Sequence, residues 1–321
     1  MSSRTKKIIK LIVPILLGLF LIWYSYNATT EADRKLIVES IANANLTWVF
    51  VSIALGIISH ISRAIRWNYL LHPLGYRPSL VNNSLIVFIS YFANLGIPRS
   101  GEILRATALS TYENVPFEKG FGTIVTERIV DLIMLLLIIF TALMLQTDII
   151  WDYLEEKGIG LVAGGIALLV GVVGLLIGKR ILKKSKSNFV LKIKGFLDGL
   201  LDGVASILKM KNKFGFIFHT ILIWGCYVAM FWAIKYTIPE TAALSLSQLL
   251  VAFVAGAFAM SATNGGLGLY PIAVSSALSL FGIAKTGGDT FGWIMWIAQT
   301  VMVVVLGAIS FMVLPLWNRS K

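Results

Sequence analysis

The run Asn94-Leu95-Gly96-Ile97-Pro98-Arg99-Ser100-Gly101 interrupts an apolar stretch that otherwise extends over residues 80–112. A second run, Thr263-Asn264-Gly265-Gly266-Leu267-Gly268, interrupts the apolar stretch 248–284 in the same way. Glycine, proline and polar side chains disfavour a continuous helix. Irregular backbone is tolerated inside a membrane only where it is buried in protein or lines a cavity. The two runs therefore predict two broken helical elements.

The composition around these runs is that of a polytopic membrane protein. Of the 321 residues, 57% are hydrophobic and 14% are charged, whereas soluble domains are about 45–50% apolar and about 25% charged. The mean hydropathy is +0.81. These values exclude a soluble enzyme, a disordered chain and a nucleic-acid-binding protein, even though the net charge is +12. The single cysteine, Cys226, cannot form an internal disulfide, and no cysteine or histidine cluster has metal-ligand spacing, so we predict no metal and no cofactor.

Further stretches are long and apolar enough to cross a bilayer, which takes about 20 residues. They are 8–26, 47–70, 121–145, 159–178, 214–236 and 291–315. The first has the basic start of a signal peptide, but Trp23, Tyr24 and Tyr26 stand where a small-residue cleavage site belongs. We therefore expect a retained first helix. The predicted fold class is an all-α polytopic integral membrane protein with about six full transmembrane helices plus two broken, re-entrant helical hairpins.

Lysine and arginine mark the cytoplasmic loops of membrane proteins. The segment 179–213 is the most strongly basic, and its middle is amphipathic at helical spacing. We predict that it is a cytoplasmic connector lying along the inner leaflet. The loops 27–46 and 146–158 carry seven of the 16 acidic residues, which places them outside and both chain termini in the cytoplasm.

This order of segments fixes the side on which each broken stretch begins and ends. Stretch 80–112 starts and ends inside, and stretch 248–284 starts and ends outside. Each is either two short crossings or one re-entrant hairpin, and their lengths of 33 and 37 residues are short for two complete spans. We therefore favour two hairpins entering from opposite faces. Secondary transporters use broken helices that meet near the midplane, often in inverted repeats, and the topology predicts an inverted repeat here.

Charged residues inside the predicted membrane region form three groups. They are Arg63 with Arg66, Arg99 with Glu102 and Arg105, and Glu127 with Arg128 and Asp131. A charge at bilayer depth costs at least about 2.5–3.5 kcal/mol and marks a functional site or a buried pair. The five arginines exceed the three carboxylates by two charges, which favours a site that keeps guanidinium groups for the phosphate of an anionic headgroup. Two alternatives stay open. In the first, the acids simply pair with arginines and fix the first hairpin in place; in the second, Arg63 and Arg66 snorkel to the cytoplasmic interface.

Several motifs resemble those of the lysylphosphatidylglycerol synthase transmembrane-region family. The run from Asn94 to Arg105 looks like its N-x-x-x-P-x-x-x-G-E-x-x-R-type signature, within one residue of spacing. The other resemblances are Thr126-Glu127-Arg128-Ile129-Val130-Asp131 to E-R-x-x-D, Gly265-Gly266-Leu267-Gly268 to a late G-G-x-G, and Arg66-Trp67 with Leu70-Leu71 and Gly75 to the early motif. Two departures concern the late motif: Asn264 stands where members commonly have proline, and Tyr270-Pro271 where they have an acid.

The resemblance implies a single flippase-like transmembrane domain over residues 1–321 that moves phospholipid between leaflets. In full-length synthases a cytoplasmic aminoacyl-transferase domain follows. This chain ends at Lys321, just after its last predicted span, so we expect that domain and lysyl transfer to be absent, and we predict no enzyme activity. Stand-alone relatives are linked to envelope lipid or glycan-lipid handling, which adds polyprenyl-phosphate carriers to the candidate substrates.

We therefore predict a bacterial cytoplasmic-membrane transporter for an anionic lipid, either a phospholipid or a polyprenyl-phosphate-linked lipid. Its predicted partners are the anionic headgroup and membrane lipids, with no nucleic acid, and a homo-oligomer stays open. The alternative is a non-transporting scaffold that docks an envelope-biosynthesis enzyme through 179–213. An intramembrane enzyme is disfavoured, because the sequence shows no nucleophile–base pair. The predicted substrate-binding residues are Arg66, Asn94, Arg99, Glu102, Arg105, Glu127, Arg128, Asp131, Asn264, Gly265, Gly266, Gly268 and Tyr270.

Overall fold

The computed structural model describes residues 30–97, 99–148 and 210–319, together with Trp23 and Asn27. The chain divides into two compact units, one of Met1–Ala142 with Phe214–Lys321 and one of Leu143–Lys213. Every regular element within the described residues is helical, which confirms the all-α class. The predicted spans 8–26 and 159–178, apart from Trp23, and the connector as far as residue 209 lie outside the described residues.

Four helices in the described part of the chain have the length and composition to cross a membrane. They are α2 (Leu46–Leu71), α5 (Phe117–Leu145), α6 (Lys213–Ile234) and α9 (Lys285–Trp317). These helices coincide with four of the predicted spans, and their ends differ from the predicted ones by at most six residues. The start of α2 is set by the Asn45 side chain, which accepts from the backbone N–H of Thr47. Its end is set by a 3₁₀ turn at His72–Leu74 that closes on Gly75 at a φ of 89°.

Each broken stretch forms a helical hairpin. The first consists of α3 (Leu80–Gly96) and α4 (Ser100–Glu113), and the second consists of α7 (Leu246–Ala262) and α8 (Leu269–Ser279). Both breaks fall where the sequence predicted them. Whether the hairpins are re-entrant in a bilayer stays a prediction, and so does the number of full spans beyond the four.

The same succession of elements occurs twice along the chain. A long helix, a 3₁₀ turn, a 17-residue helix, a break, a short helix and a second long helix follow one another in α2–α5 and again in α6–α9. The 3₁₀ turns are His72–Leu74 and Pro239–Thr241. This succession supports the predicted repeat, although the two halves share little sequence.

The two hairpins open at opposite ends of α9. Helix α3 runs antiparallel to α9, because Asn82 hydrogen-bonds Asn318 whereas Phe92, further along α3, lies against Gly307. Helix α3 therefore begins where α9 ends, and α8 ends only six residues before α9 begins. The hairpin tips meet between these ends, where the Asn264 side-chain amide donates to the Gly96 carbonyl at 3.3 Å.

One helix lies where the sequence predicted only a loop. Helix α1 (Glu31–Ala42) forms within the predicted outer loop 27–46, and the Thr30 side chain caps it by accepting from the Asp33 N–H. Ile37 is its one buried residue. Because the helix is mostly polar, a search for apolar spans does not find it, although a threonine followed three residues later by an acidic residue is a helix-start signal.

Candidate functional site

A group of buried ion pairs connects α2 to α5. The Arg63 guanidinium lies 2.6 Å from the Asp131 carboxylate, and Arg66 lies 3.0 Å from the other Asp131 oxygen and 3.4 Å from Glu127. Arg63 is 2% exposed and Arg66 is fully buried. The interpretation that these two arginines snorkel to the interface is therefore wrong. The four-residue spacing of Glu127 and Asp131 brings both carboxylates to the same arginine, as their shared helix face predicted.

Two further ion pairs connect the first hairpin to the same helix. Arg105 lies 2.6 Å from Glu127, and its guanidinium stacks 3.8 Å above the Trp67 ring. Glu102 pairs instead with Arg128, at 3.3 Å, and Arg128 also approaches Asp131 at 3.7 Å. Glu102 and Arg105 of α4 thus bind different partners, and both fix the hairpin against α5.

We call this set the ion-pair cluster, and it carries one positive charge when every member is ionised. Its members are Arg63, Arg66, Arg105 and Arg128 with Glu102, Glu127 and Asp131. The sequence-based count of plus two included Arg99. That side chain is exposed at the tip of the first hairpin, and no ion pair among the described residues reaches it. Because Arg99 lies outside the ion-pair cluster, the excess is one charge.

A cavity of about 360 Å³ lies beside the ion-pair cluster. Its polar side is formed by Arg63, Arg128 and Asp131. Arg63 also donates to the Tyr227 hydroxyl at 3.3 Å, and that hydroxyl lies 3.5 Å from the hydroxyl of Tyr91. The remaining polar and aromatic wall includes His60, Tyr91, Trp224, Tyr227, Tyr270, Trp296 and Gln299. Pockets of this size commonly hold small molecules or their headgroups.

The rest of the cavity wall is apolar and adaptable. Four methionines line it, together with leucine and phenylalanine side chains; the methionines are Met230, Met260, Met295 and Met302. Methionine fills irregular space and adapts to ligands of different shape. The cavity therefore has a cationic side and an apolar side, which is the polarity of a lipid headgroup with the first part of its chain.

The second hairpin contributes its glycine-rich break to the wall. Gly265 lines the cavity and adopts a φ of 60°, and Gly266 and Gly268 also have positive φ. The Gly265 carbonyl accepts from the Trp296 indole at 2.8 Å, which fixes the break to α9. Positive φ is the conformation that glycine adopts without strain, so the glycines serve the turn.

The predicted site residues fall into four groups by their location. Arg128, Asp131, Gly265 and Tyr270 line the cavity. Arg66, Glu102, Arg105 and Glu127 belong to the ion-pair cluster behind it. Asn94, Asn264, Gly266 and Gly268 shape the two breaks. Arg99 is exposed at the first hairpin tip.

Sequence reasoning missed several residues of the cavity wall. His60, Tyr91, Trp224 and Tyr227 were not selected, and Arg63 was left out of the predicted site. His60 and Arg63 are three residues apart on one helix, so their shared face was a usable signal. The aromatic residues gave no such signal, because in an apolar run an aromatic residue of a cavity wall looks the same as one of the core.

A nucleophile–base pair exists, contrary to the sequence-based expectation. The Ser62 hydroxyl lies 2.8 Å from Nδ1 of His219, joining α2 to α6. Neither residue lines the cavity, and we interpret the pair as a hydrogen bond that joins two packed helices. Among the described residues, no group of three or more His, Cys, Asp and Glu side chains is placed to hold a metal ion.

Comparison with known proteins shows that the chain is similar to a family of membrane proteins. The family model described as the lysylphosphatidylglycerol synthase TM region matches residues 11–307. A UPF0104 membrane protein of Methanocaldococcus jannaschii is 25% identical over 307 residues, covering 87% of this chain and 88% of the relative. Another, of Pyrococcus horikoshii, is 24% identical over 305 residues, with 87% and 89% covered. The glycosyltransferase AglD of Haloferax volcanii is 29% identical over 106 residues, which are 33% of this chain and 17% of that protein. No solved structure matches the chain.

Proposed function

Because this chain belongs to the lysylphosphatidylglycerol synthase TM region family, we propose that it translocates an anionic lipid between the two leaflets of its membrane. The observation that carries the proposal is the cavity that both hairpins line together with α2, α5, α6 and α9, with arginines on one side and an apolar wall on the other. A charged headgroup crosses hydrocarbon only at high cost, and such a cavity lowers that cost by replacing the headgroup's hydration.

In this proposal Arg63 and Arg128 bind the phosphate, because guanidinium groups match phosphate oxygens in charge and geometry. Asp131 contacts both arginines and holds them in the cavity wall. Arg66, Arg105 and Glu127 support that arrangement from behind. The contact between the hairpin tips is the seam that opens to one leaflet or the other, while the acyl or prenyl chains remain in the bilayer.

The candidate substrates are phospholipids and polyprenyl-phosphate-linked lipids. The match to a protein named as a glycosyltransferase favours testing lipid-linked sugars among them. We place the protein in the cytoplasmic membrane. The family resemblance of the sequence predicts a bacterial source, whereas the relatives named above are archaeal, so the proposal is not confined to bacteria.

The side to which each hairpin opens follows from the basic connector. The connector leads into α6, and Gly215 near the start of α6 lies against Tyr69 near the end of α2. Helix α3 begins at Leu80, soon after α2 ends at Leu71. If 179–213 is cytoplasmic, the first hairpin opens to the cytoplasm and the second to the opposite side.

Transbilayer movement in liposomes tests the function. Purified protein is reconstituted with labelled phosphatidylglycerol or a labelled polyprenyl phosphate, with and without an ion gradient, and the labelled lipid reaching the second leaflet is measured. We expect lipid movement in the native protein and a rate at least tenfold lower in Arg63→Gln, since the substitution removes from the cavity wall a guanidinium that donates to the phosphate.

The matched control is Arg77→Gln, which removes an exposed arginine outside the cavity. Movement that is equal in native protein, Arg63→Gln and protein-free liposomes contradicts the proposal. That result favours the scaffold alternative, in which replacing the lysines of 179–213 abolishes binding of a partner enzyme.

A further inference from the structure

One acid of the ion-pair cluster has fewer contacts than the other two. Asp131 approaches three arginines and Glu127 approaches two, and the shortest distance in each case is 2.6 Å. Within the part of the chain that the structure describes, Glu102 pairs with Arg128 alone, at 3.3 Å, and its second carboxylate oxygen has no hydrogen-bond partner. Protonation of Glu102 therefore breaks the fewest contacts.

Glu102 is also the acid of the cluster that solvent reaches most readily. Its side chain is 22% exposed, against 11% for Asp131 and 0% for Glu127. The side chain of its partner Arg128 is 42% exposed. The pair thus lies at the edge of the cluster, where Glu102 can exchange a proton with water while the buried pairs stay closed.

Arg128 connects Glu102 to the cavity. It lines the cavity and binds the phosphate in the proposed function, while its Nε pairs with Glu102. An anion in the cavity and the Glu102 carboxylate therefore compete for one guanidinium. A like charge nearby favours the neutral form of a carboxylic acid, so an anion on Arg128 favours a proton on Glu102. By reciprocity, that proton strengthens anion binding by the same factor.

The other titratable groups near the cavity and the cluster are unsuited to this exchange. His60 has Arg63 on the next turn of the same helix, and a second positive charge beside the first is unfavourable. Tyr91 and Tyr227, which line the cavity, are phenols and are uncharged near neutral pH. Arg99, at the tip of the first hairpin, keeps its proton as every arginine does.

We propose that Glu102 is a proton-binding residue that couples movement of the anionic lipid to a proton gradient. The inference rests on the proposed function, because it takes Arg128 as a ligand of the substrate phosphate. One proton joins the Glu102 carboxylate as the anion binds Arg128. The proton leaves when the anion dissociates on the other side and Arg128 pairs with Glu102 again. Proton and anion move in the same direction, one with one.

A pH gradient across liposomes tests the coupling. The purified full chain is reconstituted with labelled phosphatidylglycerol, whose phosphodiester lacks the second proton of a phosphate monoester. Valinomycin and equal potassium on both sides hold the membrane potential near zero. With the outside more acidic by about two pH units, one proton per anion supports a leaflet ratio of up to about a hundredfold. We expect an excess of label in the inner leaflet of about fivefold or more, reversal of the excess with the gradient, and none in protein-free liposomes.

Two substitutions of Glu102 separate a coupling role from a structural one. Glu102→Gln resembles the protonated residue and cannot release a proton, so we expect the label that it moves to distribute evenly with or without the gradient. Glu102→Asp keeps a titratable carboxylate and is expected to retain the excess. Glu118→Gln, which changes an exposed acid of α5, is the matched control and is expected to respond as the native protein does.

Proton uptake on binding tests the same residue without requiring transport. Dioctanoyl phosphatidylglycerol is added to the purified full chain in nanodiscs, in a weakly buffered solution with a pH-indicator dye. Near neutral pH we expect the native protein and Glu118→Gln to take up at most about one proton for each lipid bound. Glu102→Gln is expected to take up none.

Even distribution of label in the native protein under the gradient overturns the inference. An excess that persists in Glu102→Gln does so too, as does lipid binding by the native protein without proton uptake. Failure of the proposed function gives a different result, in which neither phosphatidylglycerol nor the polyprenyl phosphate moves under any gradient. Proton uptake on binding then leaves Glu102 as a proton-binding residue and removes transport, whereas movement that ignores the gradient keeps transport and removes the coupling.

Discussion

Asp131 is the residue on which the cavity wall depends most. Its carboxylate contacts Arg63 at 2.6 Å and Arg66 at 3.0 Å, and Arg128 approaches it at 3.7 Å. Two of these arginines line the cavity and one lies behind it. A single acid thus holds donors that would otherwise repel one another, and it keeps their side chains in place before any ligand binds. Such preorganisation lowers the cost of ordering the site on binding.

Glu127 holds arginines in place behind the cavity, as Asp131 does in its wall. It is fully buried and pairs with Arg66 and Arg105. Glu127→Gln leaves two buried arginines with weaker compensation, and breaking a buried pair costs about 3–5 kcal/mol. We therefore expect a marked loss of thermal stability in detergent, measured by the temperature at which the protein aggregates.

The control for this prediction is Glu118→Gln, the same change at an exposed position of the same helix. An unchanged melting temperature in Glu127→Gln would show that the arginines are satisfied without the carboxylate. That outcome would argue for a cluster whose charges serve binding more than folding.

At the scale of single helices, the first hairpin depends on one close contact. A methyl group at Gly101 would overlap the carbonyl oxygen of Ser90 on the facing helix. The Gly101 N–H donates to the Asn94 side chain at 2.8 Å, so the contact also holds the break. Gly101→Ala is expected to push α3 and α4 apart and lower stability, with overpacking typically costing about 1–3 kcal/mol.

Gly122 provides the comparison for that substitution. It lies within α5, and a methyl group there meets no atom within 4 Å. Because alanine favours helix over glycine by about 1 kcal/mol, Gly122→Ala is expected to be neutral or slightly stabilising in the same thermal assay. Equal effects of both substitutions would contradict a packing role for Gly101.

The helices were predictable from the sequence to a degree that the cavity was not. The apolar run 47–70 predicted α2, observed at Leu46–Leu71, and the glycine-rich run from Thr263 to Gly268 predicted the second break. Such features follow from local composition. The cavity depends on which faces of distant helices meet, and no local pattern brings Trp224 to His60 across 164 residues. Arg63 shows what local sequence cannot predict: whether an arginine is buried or snorkels depends on its partner Asp131, which lies on another helix.

At the scale of the whole chain, the doubled succession of elements gives two hairpins that meet tip to tip. The contact is slight: one hydrogen bond from Asn264 to the Gly96 carbonyl, and the Leu95 side chain lying against Gly265. The second hairpin packs on α9, and the first is held by the ion-pair cluster and also lies along α9, where Asn82 bonds Asn318 and Phe92 meets Gly307. A small contact between the tips of two hairpins that are each fixed elsewhere is suited to alternate opening at the tips, the movement that inverted repeats support in transporters.

A cross-link across this seam tests whether the hairpins must part. Gly96→Cys with Asn264→Cys, in a Cys226→Ser background, places two thiols at the contact, and a methyl group at Gly96 meets no atom within 4 Å. We expect oxidation or a short thiol-specific cross-linker to stop transbilayer lipid movement in liposomes, and reduction of the same sample to restore it. Because both measurements use one protein preparation, effects of the substitutions themselves cancel. Movement that continues in fully cross-linked protein would show that the lipid passes without separation of the tips, and the path would then have to follow the outer surface of the hairpins.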